Sequence, residues 1–298
     1  MNFAGFAVAM LSMVLFGLYM VPRKLCGLRD FDFVLSMCLG AVATTQVARF
    51  LMHGVDSAAV STVGLALSFA CGPIWSLGIL FYTLSVSQMG LTLATPIKNT
   101  TAVLGTVLGL FVFAEWRDTN AALALVGSVL VVACAVILAR ASDRTCERSC
   151  VNPLGTVFAL LAAVFFAAYT IPLKLAQREG LDSYTIMAWM GLGTLLGGLV
   201  LFLVFSRNRR RWLRESMKDH LFAALAGCIW AMATIAMSEA IRLIGLSITW
   251  PVTNLNTVVT VAAGIVVFRE IDAARHWRTI ALAMACAVVG SALLGLAK

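Results

Sequence analysis

The chain has 298 residues, of which 61% are hydrophobic and 12% are charged, and its formal net charge is +8 at pH 7. Its mean hydropathy of +0.95 is too high for a soluble domain, since soluble domains carry about 25% charged residues. The composition therefore excludes the soluble classes and indicates an integral membrane protein.

Ten stretches, separated by short polar or basic links, are long and apolar enough to cross a bilayer, because a spanning helix needs about 20 mainly apolar residues. In chain order they cover residues 3–24, 33–53, 64–88, 91–114, 120–140, 153–175, 184–206, 219–243, 246–268 and 277–297. The spans are expected to be helical. Barrel strands would alternate in polarity, and an open strand edge in lipid could not satisfy its backbone.

The first stretch is interpreted as a retained span and not as a signal peptide, because residues 1–15 contain no Lys or Arg. Six of the eight cysteines lie in or beside spans, where Cys is usually a small buried apolar residue. Cys146 and Cys150, in "RTCERSC", could hold a metal or form a disulfide, but no His or second Cys pair lies nearby. No metal or cofactor is expected.

The second half of the chain repeats the first. At an offset of 150, "FGLYMVPRKL" (16–25) aligns with "FAAYTIPLKL" (166–175), and at an offset of 155 ten residues coincide over 41 positions, from Trp75 on Trp230 to Glu115 on Glu270. Apolar composition alone does not explain so many coincidences of Trp, Pro, Gly and Glu. We infer an ancestral duplication, with a five-helix repeat at 1–140, a polar linker at 141–152 and a second five-helix repeat at 153–298.

An odd number of helices in each repeat makes the second repeat enter the membrane from the opposite side. The two halves are then related by a pseudo-twofold axis in the membrane plane, which is the inverted-repeat architecture of secondary transporters. The predicted fold class is an all-α integral membrane protein with ten transmembrane helices in two inverted repeats.

The basic residues of the loops predict the orientation. Fifteen Lys and Arg residues fall on one side of the membrane and six on the other, with Lys98 inside a span. The positive-inside rule then places both termini outside the cytoplasm. The run "RNRRRWLR" could suggest nucleic-acid binding, but an orientation signal facing anionic lipid explains it more simply, and no nucleic-acid partner is expected.

Several motifs are shared with a known group of proteins. They are "IWSLGILFYTLSVSQMGLTLATP", "GLFVFAEW" and the "VPRK" that closes the first span. With them the chain resembles the drug/metabolite transporter superfamily, and most closely its glucose, ribose and rhamnose porter branch. The resemblance covers essentially the whole chain.

The resemblance implies a ten-helix transporter of two inverted five-helix repeats that moves a sugar or a similar small polar metabolite, often coupled to protons. The chain departs from glucose-type porters just after the fourth-span proline. It has Ile97, Lys98 and Asn99 where those porters tend to have small hydroxyl residues. This departure places a plain neutral hexose in question.

Repeat-paired polar and aromatic residues are the candidate substrate ligands. Asn99 and Asn254 can each donate to and accept from a sugar hydroxyl, although residues on these helix faces could equally pack helices together. Early in their helices, Pro96 and Pro251 are expected to act as hinges that free backbone carbonyls for a ligand. Aromatic rings cover the apolar face of a pyranose but also anchor helices at the membrane interface; the candidates are Trp75, Trp230, Tyr19 and Tyr169.

The ionisable residues of the spans are the candidates for coupling or gating. Lys24, Lys174, Glu115 and Glu270 recur in both halves at span ends, which favours a shared role such as gate ion pairs. Glu239 is the candidate proton carrier, unless it only pairs with Arg242 three residues on.

Lys98 lies about 10 Å into the fourth span, at 1.5 Å per residue, and its repeat equivalent is Thr253. It either snorkels or pairs with a glutamate, or it faces a wet cavity. There it could bind an anionic or polyhydroxylated substrate or take part in proton coupling.

Taken together, these features predict a secondary active transporter that moves a sugar or polar metabolite by alternating access, with protons as the coupling ion and the lipid bilayer of a prokaryotic inner membrane as its surroundings. It is expected to be a monomer or a homodimer. An exporter of amino acids or of amphipathic or cationic compounds is the alternative. An enzyme is excluded, because the three histidines fall at span ends and no HExxH, Gly-x-Ser-x-Gly or phosphate-binding glycine loop occurs.

Overall fold

The structure is a computed structural model that describes residues 3–54, 61–142, 153–206, 209–256, 258–260 and 273–297, and its regular elements are helices. Those of the first half are α1 (Phe3–Leu18), α2 (Val21–Lys24), α3 (Asp30–His53), α4 (Thr62–Lys98), α5 (Thr101–Val107) and α6 (Ala121–Ser142). Those of the second half are α7 (Pro153–Ala168), α8 (Thr170–Arg178), α9 (Ser183–Phe205), α10 (Arg209–Trp212), α11 (Met217–Ile244), α12 (Leu246–Asn254) and α13 (Ala273–Ala297).

Seven helical segments among the described residues are long and apolar enough to cross a membrane. They are Phe3–Arg23, Asp30–His53, Thr62–Gln88, Pro153–Arg178, Ser183–Phe205, Met217–Ile244 and Trp277–Leu294, and each coincides with a predicted span. The fourth and fifth predicted spans correspond to shorter apolar helical segments, Thr101–Val112 and Ala121–Cys134. The linker 141–152, apart from its first two residues, and the second part of the ninth predicted span, residues 261–268, lie outside the described residues.

The predicted boundary between the third and fourth spans is wrong. α4 continues from Thr62 to Lys98 and includes the first part of the stretch 91–114. Gly90 marked the boundary in the sequence, but one Gly inside an apolar helix costs only about 1 kcal/mol, which does not end a helix by itself. The interruption falls at Asn99 and Thr100 instead, and α5 begins at Thr101.

The equivalent boundary in the second half is present. α11 ends at Ile244, and Gly245 adopts φ +86° and ψ 165°, a conformation that is essentially confined to glycine. α12 starts immediately afterwards, at Leu246. The two halves therefore differ in structure where their sequences align well.

Helices of the two halves pack against each other throughout the bundle. α1 packs on α11 and α7 packs on α4, while α3 contacts both α9 and α11. α4 also packs along α9, and α6 packs along α13. The interior is thus made of contacts between helices that are distant in sequence.

Glycines lie where these helices cross most closely. A Cβ added at Gly72 of α4 would collide with backbone atoms of Gly193 and Thr194 of α9, and one added at Gly193 would collide with the carbonyl oxygen of Phe69. α3 and α11 meet in the same way, because a Cβ at Gly40 would collide with the backbone of Ala224. Small residues at such crossings let two backbones approach and gain packing contacts.

The chain leaves the fourth predicted span through a strained turn. A π-helical turn (Leu108–Val112) follows α5, and Ala114 then adopts φ 58° and ψ 28° before the short 3₁₀ turn Glu115–Arg117. This left-handed conformation costs a residue with a Cβ roughly 1–2 kcal/mol, and glycine is the usual residue at this place after a helix.

We therefore expect Ala114→Gly to stabilise the folded protein by about 1 kcal/mol. The matched control is Ala168→Gly at the end of α7, in ordinary helical backbone, where the same change should destabilise by about 0.5–1 kcal/mol. Thermal unfolding in detergent measures both changes. A lower melting temperature for Ala114→Gly would show that the turn is not strained.

Candidate functional site

The site lies where helices of both halves end inside the bundle. Asn99 follows the last residue of α4, and Asn254 is the last residue of α12. The Nδ2 atom of Asn99 donates to the backbone oxygen of Asn254 at 3.3 Å. Helices that end within a membrane bundle present backbone and polar groups to its interior, which is how transporters build binding sites.

A small cavity lies at this junction, with about 50 Å³ of space for the centres of water molecules. Both halves contribute to its lining, which consists of Phe16, Tyr19, Trp75, Lys98, Thr101, Phe166, Tyr169, Trp230, Met237, Trp250, Thr253, Asn254 and Asn256.

Aromatic rings dominate the walls of the cavity. Trp75 of α4 and Trp230 of α11 contact each other, with ring centroids 4.0 Å apart and planes inclined by 36°. Phe166 lies 6.4 Å from Trp75, and Tyr169 meets Trp250 edge to face at 5.7 Å. Such a surface suits a ligand with an apolar face, for example a pyranose ring.

Lys98 brings a positive charge into these aromatic walls. It is the last residue of α4 and is only 8% exposed. Its Nζ atom lies 5.5 Å from the ring centroid of Tyr82 and 5.8 Å from that of Phe166, within the range of cation–π attraction. Within the described part of the chain, no acidic residue forms an ion pair with it.

Six of the seven predicted substrate ligands line the cavity: Tyr19, Trp75, Lys98, Tyr169, Trp230 and Asn254. The seventh, Asn99, does not line it. Asn99 is fully buried and bonds to the backbone of Asn254, so it connects two helix ends in this structure. Asn254 lines the cavity although its Nδ2 atom donates to the Trp250 carbonyl at 2.8 Å.

Of the two predicted hinge prolines, the structure describes the surroundings of Pro251 but not the side chain of Pro96. Proline has no amide hydrogen, so Pro251 deprives the carbonyl of Ser247, four residues earlier, of its helical partner. The hydroxyl of Thr106 lies 3.2 Å from this carbonyl and 3.0 Å from the carbonyl of Ala102, and it has one proton for the two acceptors. In this structure the freed carbonyl thus lies against α5, and its contact with a ligand stays a prediction. Pro96 lies within α4, but its side chain is outside the described part of the structure.

Glu115 forms a cluster of contacts that we call the Glu115 clamp: the carboxylate of Glu115, the ammonium of Lys174 and the first two amides of α12. Oε1 lies 3.1 Å from Lys174 Nζ and accepts from the Leu246 amide at 3.0 Å. Oε2 accepts from the amide and the hydroxyl of Ser247 at 2.9 and 2.8 Å. A carboxylate at a helix N-terminus also meets the positive end of the helix dipole.

These contacts keep the carboxylate charged. Burial pushes the pKa of Glu115 upward, but Lys174 and the hydrogen bonds from Leu246 and Ser247 outweigh burial and hold that pKa below its usual value. Next to the clamp, Arg178 of α8 donates to the carbonyl of Phe113 at 3.0 Å. The turn after α5 is thus bound to α8 and α12 of the other half. Lys174 and Glu115, two predicted gate residues, do form an ion pair.

Glu239 forms the pair with Arg242 that the sequence analysis gave as the alternative to a proton carrier. Its carboxylate also accepts from the Ser183 hydroxyl at 3.0 Å, and it is not among the residues that line the cavity. Glu239 is therefore poorly placed to carry a proton through the cavity. The side chain of Lys24 and the whole of Glu270 lie outside the described part of the structure.

Sequence reasoning missed several residues of the lining. Phe16 and Phe166 are aligned by the repeat, so the signal was available, but aromatic candidates were limited to Trp and Tyr. Trp250 was not among the aromatic candidates, and its indole packs against Gly105 and donates to the hydroxyl of Thr101 at 3.2 Å. Nothing in the sequence singled out Met237 or Asn256.

Comparison with known proteins identifies the family of the chain. The family model described as "Sugar transport protein" matches residues 7–297. The Glucose uptake protein GlcU of Bacillus subtilis is 22% identical over 98% of both chains. An Enterococcus faecalis protein named "Putative sugar uptake protein" is 24% identical over 98% of both chains. A solved crystal structure superposes with a TM-score of 0.79 at 14% identity over all of both chains, which bears on the fold alone.

The apolar helices and these bacterial relatives define a multi-pass membrane protein of a bacterial type that transports a sugar and is not an enzyme. The chain belongs to the Sugar transport protein family. These comparisons do not support the alternative of an exporter for amino acids or amphipathic compounds. They also do not show that the chain belongs to the branch of the drug/metabolite transporter superfamily that its motifs resemble.

Proposed function

We propose that this protein takes up a monosaccharide or sugar derivative by alternating access, with the substrate in the central cavity and a proton gradient as the driving force. The paired indoles of Trp75 and Trp230 carry the proposal, because they come from equivalent positions of the two halves and meet at 4.0 Å in the cavity wall. The names of the two relatives described above also refer to uptake.

The inverted repeat is part of the proposal. Its support is the exchange of contacts between halves, in which α1 packs on α11 and the equivalent α7 packs on α4. In such a fold the two halves rock about a central site. We propose residues 1–140 and 153–298 as the two repeats.

We further propose that the protein belongs to the drug/metabolite transporter superfamily and lies in the inner membrane with both termini outside the cytoplasm. It is proposed to be a monomer or a homodimer.

The Glu115 clamp is proposed to act as a gate. It joins the first half to α8 and α12 of the second half through one charged carboxylate. The equivalent pair, Lys24 and Glu270, is proposed to serve on the other side of the cavity, as the repeat suggests.

Transport in proteoliposomes tests the function. We expect saturable uptake of labelled monosaccharides or sugar acids, faster with an inward proton gradient. Trp230→Leu should weaken the apparent substrate affinity about tenfold through loss of ring contact. Trp116→Leu is the matched control, because that indole is exposed outside the cavity.

Flux of amino acids or cationic compounds without any saturable sugar flux would overturn the proposed function. Equal affinities for the two Trp variants would remove the cavity from the mechanism while leaving sugar transport intact.

A further inference from the structure

We propose that the preferred substrate is an anionic monosaccharide whose carboxylate or phosphate pairs with Lys98 in the central cavity. The proposal rests on the proposed function, since it takes the same cavity as the sugar site. It goes beyond that function because it assigns a charge to the substrate and a residue that recognises the charge.

The first argument is the position of the ammonium group. Lys98 is more than nine-tenths buried, yet it lines the cavity. Its described neighbours near Nζ are the faces of Tyr82 and Phe166. Ring faces attract a cation but replace only part of its hydration, so a buried ammonium gains most when it meets an anion with oxygen acceptors.

The second argument is the placement of the acidic side chains. Within the described part of the chain, the carboxylates that form ion pairs do so with other partners: Asp30 with Arg23, Asp32 with Arg29, Glu115 with Lys174, Asp182 with His53, Glu215 with Arg211 and Glu239 with Arg242. No acidic residue is among the described residues that line the cavity. The described lining therefore carries a positive charge that a substrate can neutralise.

The third argument is the asymmetry of the cavity. The repeat equivalent of Lys98 is Thr253, whose hydroxyl donates to the Trp250 carbonyl at 2.9 Å. One side of the cavity thus offers a cation, and the other offers hydroxyl and amide groups such as Thr253 and Asn254. This arrangement matches a molecule with one charged end, an apolar ring face for the indoles and neutral hydroxyl groups beyond it.

The same asymmetry disfavours other charged substrates. A cationic compound would be repelled by Lys98, and the ammonium of an amino acid would need a carboxylate that the described lining lacks. A neutral hexose would leave the lysine charge uncompensated. Among sugars, an acid or a phosphate ester compensates it.

Selectivity of the wild-type protein is the first test. The experiment measures uptake of labelled glucose into proteoliposomes in the presence of an unlabelled competitor. The competitors are glucose, glucuronate, gluconate and glucose 6-phosphate. We expect at least one anionic sugar to compete roughly tenfold or more better than glucose, as a charge-assisted hydrogen bond requires. The two acids and the phosphate ester distinguish a carboxylate from a phosphate as the recognised group.

Substitution of Lys98 is the second test. Lys98→Met should abolish the preference for the anionic sugar over glucose, whereas Lys98→Arg should keep that preference. The matched control is Lys218→Met, since Lys218 also lies over an aromatic ring, that of Phe222 at 5.7 Å, but is exposed outside the cavity. Thermal unfolding with and without each sugar gives a readout that does not depend on transport: the anionic sugar should stabilise the wild type and not Lys98→Met.

Three outcomes would overturn the proposal. If glucose competes as well as every anionic sugar in the wild type, the substrate is neutral and sugar transport still stands. If Lys98→Met removes the pH dependence of uptake and leaves the sugar preference unchanged, the lysine serves proton coupling. If no sugar gives saturable flux or stabilisation, the proposed function fails together with this inference.

Discussion

Glu115→Gln is expected to reduce sugar flux at least tenfold at pH 7 without preventing folding. The glutamine keeps one oxygen, which can accept from the amide of Leu246 or from that of Ser247 but not from both as the two carboxylate oxygens do, and it loses the charge that faces Lys174 at 3.1 Å. Removing one partner of a buried ion pair costs about 3–5 kcal/mol. The expected loss here is about 2–3 kcal/mol, since both side chains retain some exposure.

A loss of that size changes the equilibrium between the clamped and the unclamped conformation by on the order of thirtyfold or more. Flux falls because the cycle must return to the clamped conformation. Because the pKa of Glu115 is lowered, the stabilisation is present above its unfolded-state pKa and is lost as the pH falls through the lower folded-state pKa. The measurement at pH 7 therefore starts from the intact clamp.

Three further variants separate the charge from the hydrogen bonds. Lys174→Met should reduce flux about as much as Glu115→Gln, and the double variant should cost little more than either single one, because both remove one interaction. Glu115→Leu should be worse, since it also removes the acceptor at the N-terminus of α12. The matched control is Glu239→Gln, whose carboxylate pairs with Arg242 away from the cavity. Wild-type flux in both Glu115→Gln and Lys174→Met would show that the clamp is only structural.

Gly193→Ala is expected to destabilise the bundle by roughly 2–3 kcal/mol or more, at the upper end of overpacking costs. The added methyl group would collide with the carbonyl oxygen of Phe69 on α4, and a backbone atom cannot turn away as a side chain can. α4 and α9 would have to separate along their whole contact. The recovery of monodisperse protein and its melting temperature measure the effect.

The matched control lies on the same helix. A Cβ at Gly198 would meet only the side chain of Cys38, with Sγ at 2.7 Å, and this sulfur can move to another rotamer. Gly198→Ala should therefore stay within about 1 kcal/mol of the wild type, because Ala also favours the helical state. Similar melting temperatures for the two variants would contradict the close crossing of α4 and α9.

The sequence was a good guide to what lies in the bilayer and a poorer guide to where helices break. Hydropathy predicted the apolar helices because length and composition alone decide whether a segment partitions into lipid. The repeat predicted four aromatic residues of the lining, since Trp75 and Trp230, and Tyr19 and Tyr169, stand at equivalent positions. Their functional roles stay predictions.

The misjudged features depend on partners distant in the chain. Gly90 and Gly245 look alike in the sequence, but α12 begins after Gly245 with two of its amides bound by Glu115, 130 residues away in the chain. The carbonyl freed by Pro251 meets Thr106, which no local pattern reveals. The hydroxyl of Ser183 that meets Glu239 likewise comes from another helix, 56 residues earlier in the chain.

Ser247 has one further consequence for the mechanics of the protein. Its amide and hydroxyl are held by Glu115, and its carbonyl is held by Thr106 of α5. Gly109, in the π-helical turn that follows α5, also approaches the Ser247 amide closely. A single residue of α12 is thus fastened to the first half in two opposite directions along the helix axis, so α12 can neither slide nor rotate against α5 while these bonds last. If the cavity opens by alternating access as proposed, α12 either loses these contacts or moves together with α5. In the second case the contact that changes is the ion pair between Glu115 and Lys174 of α8.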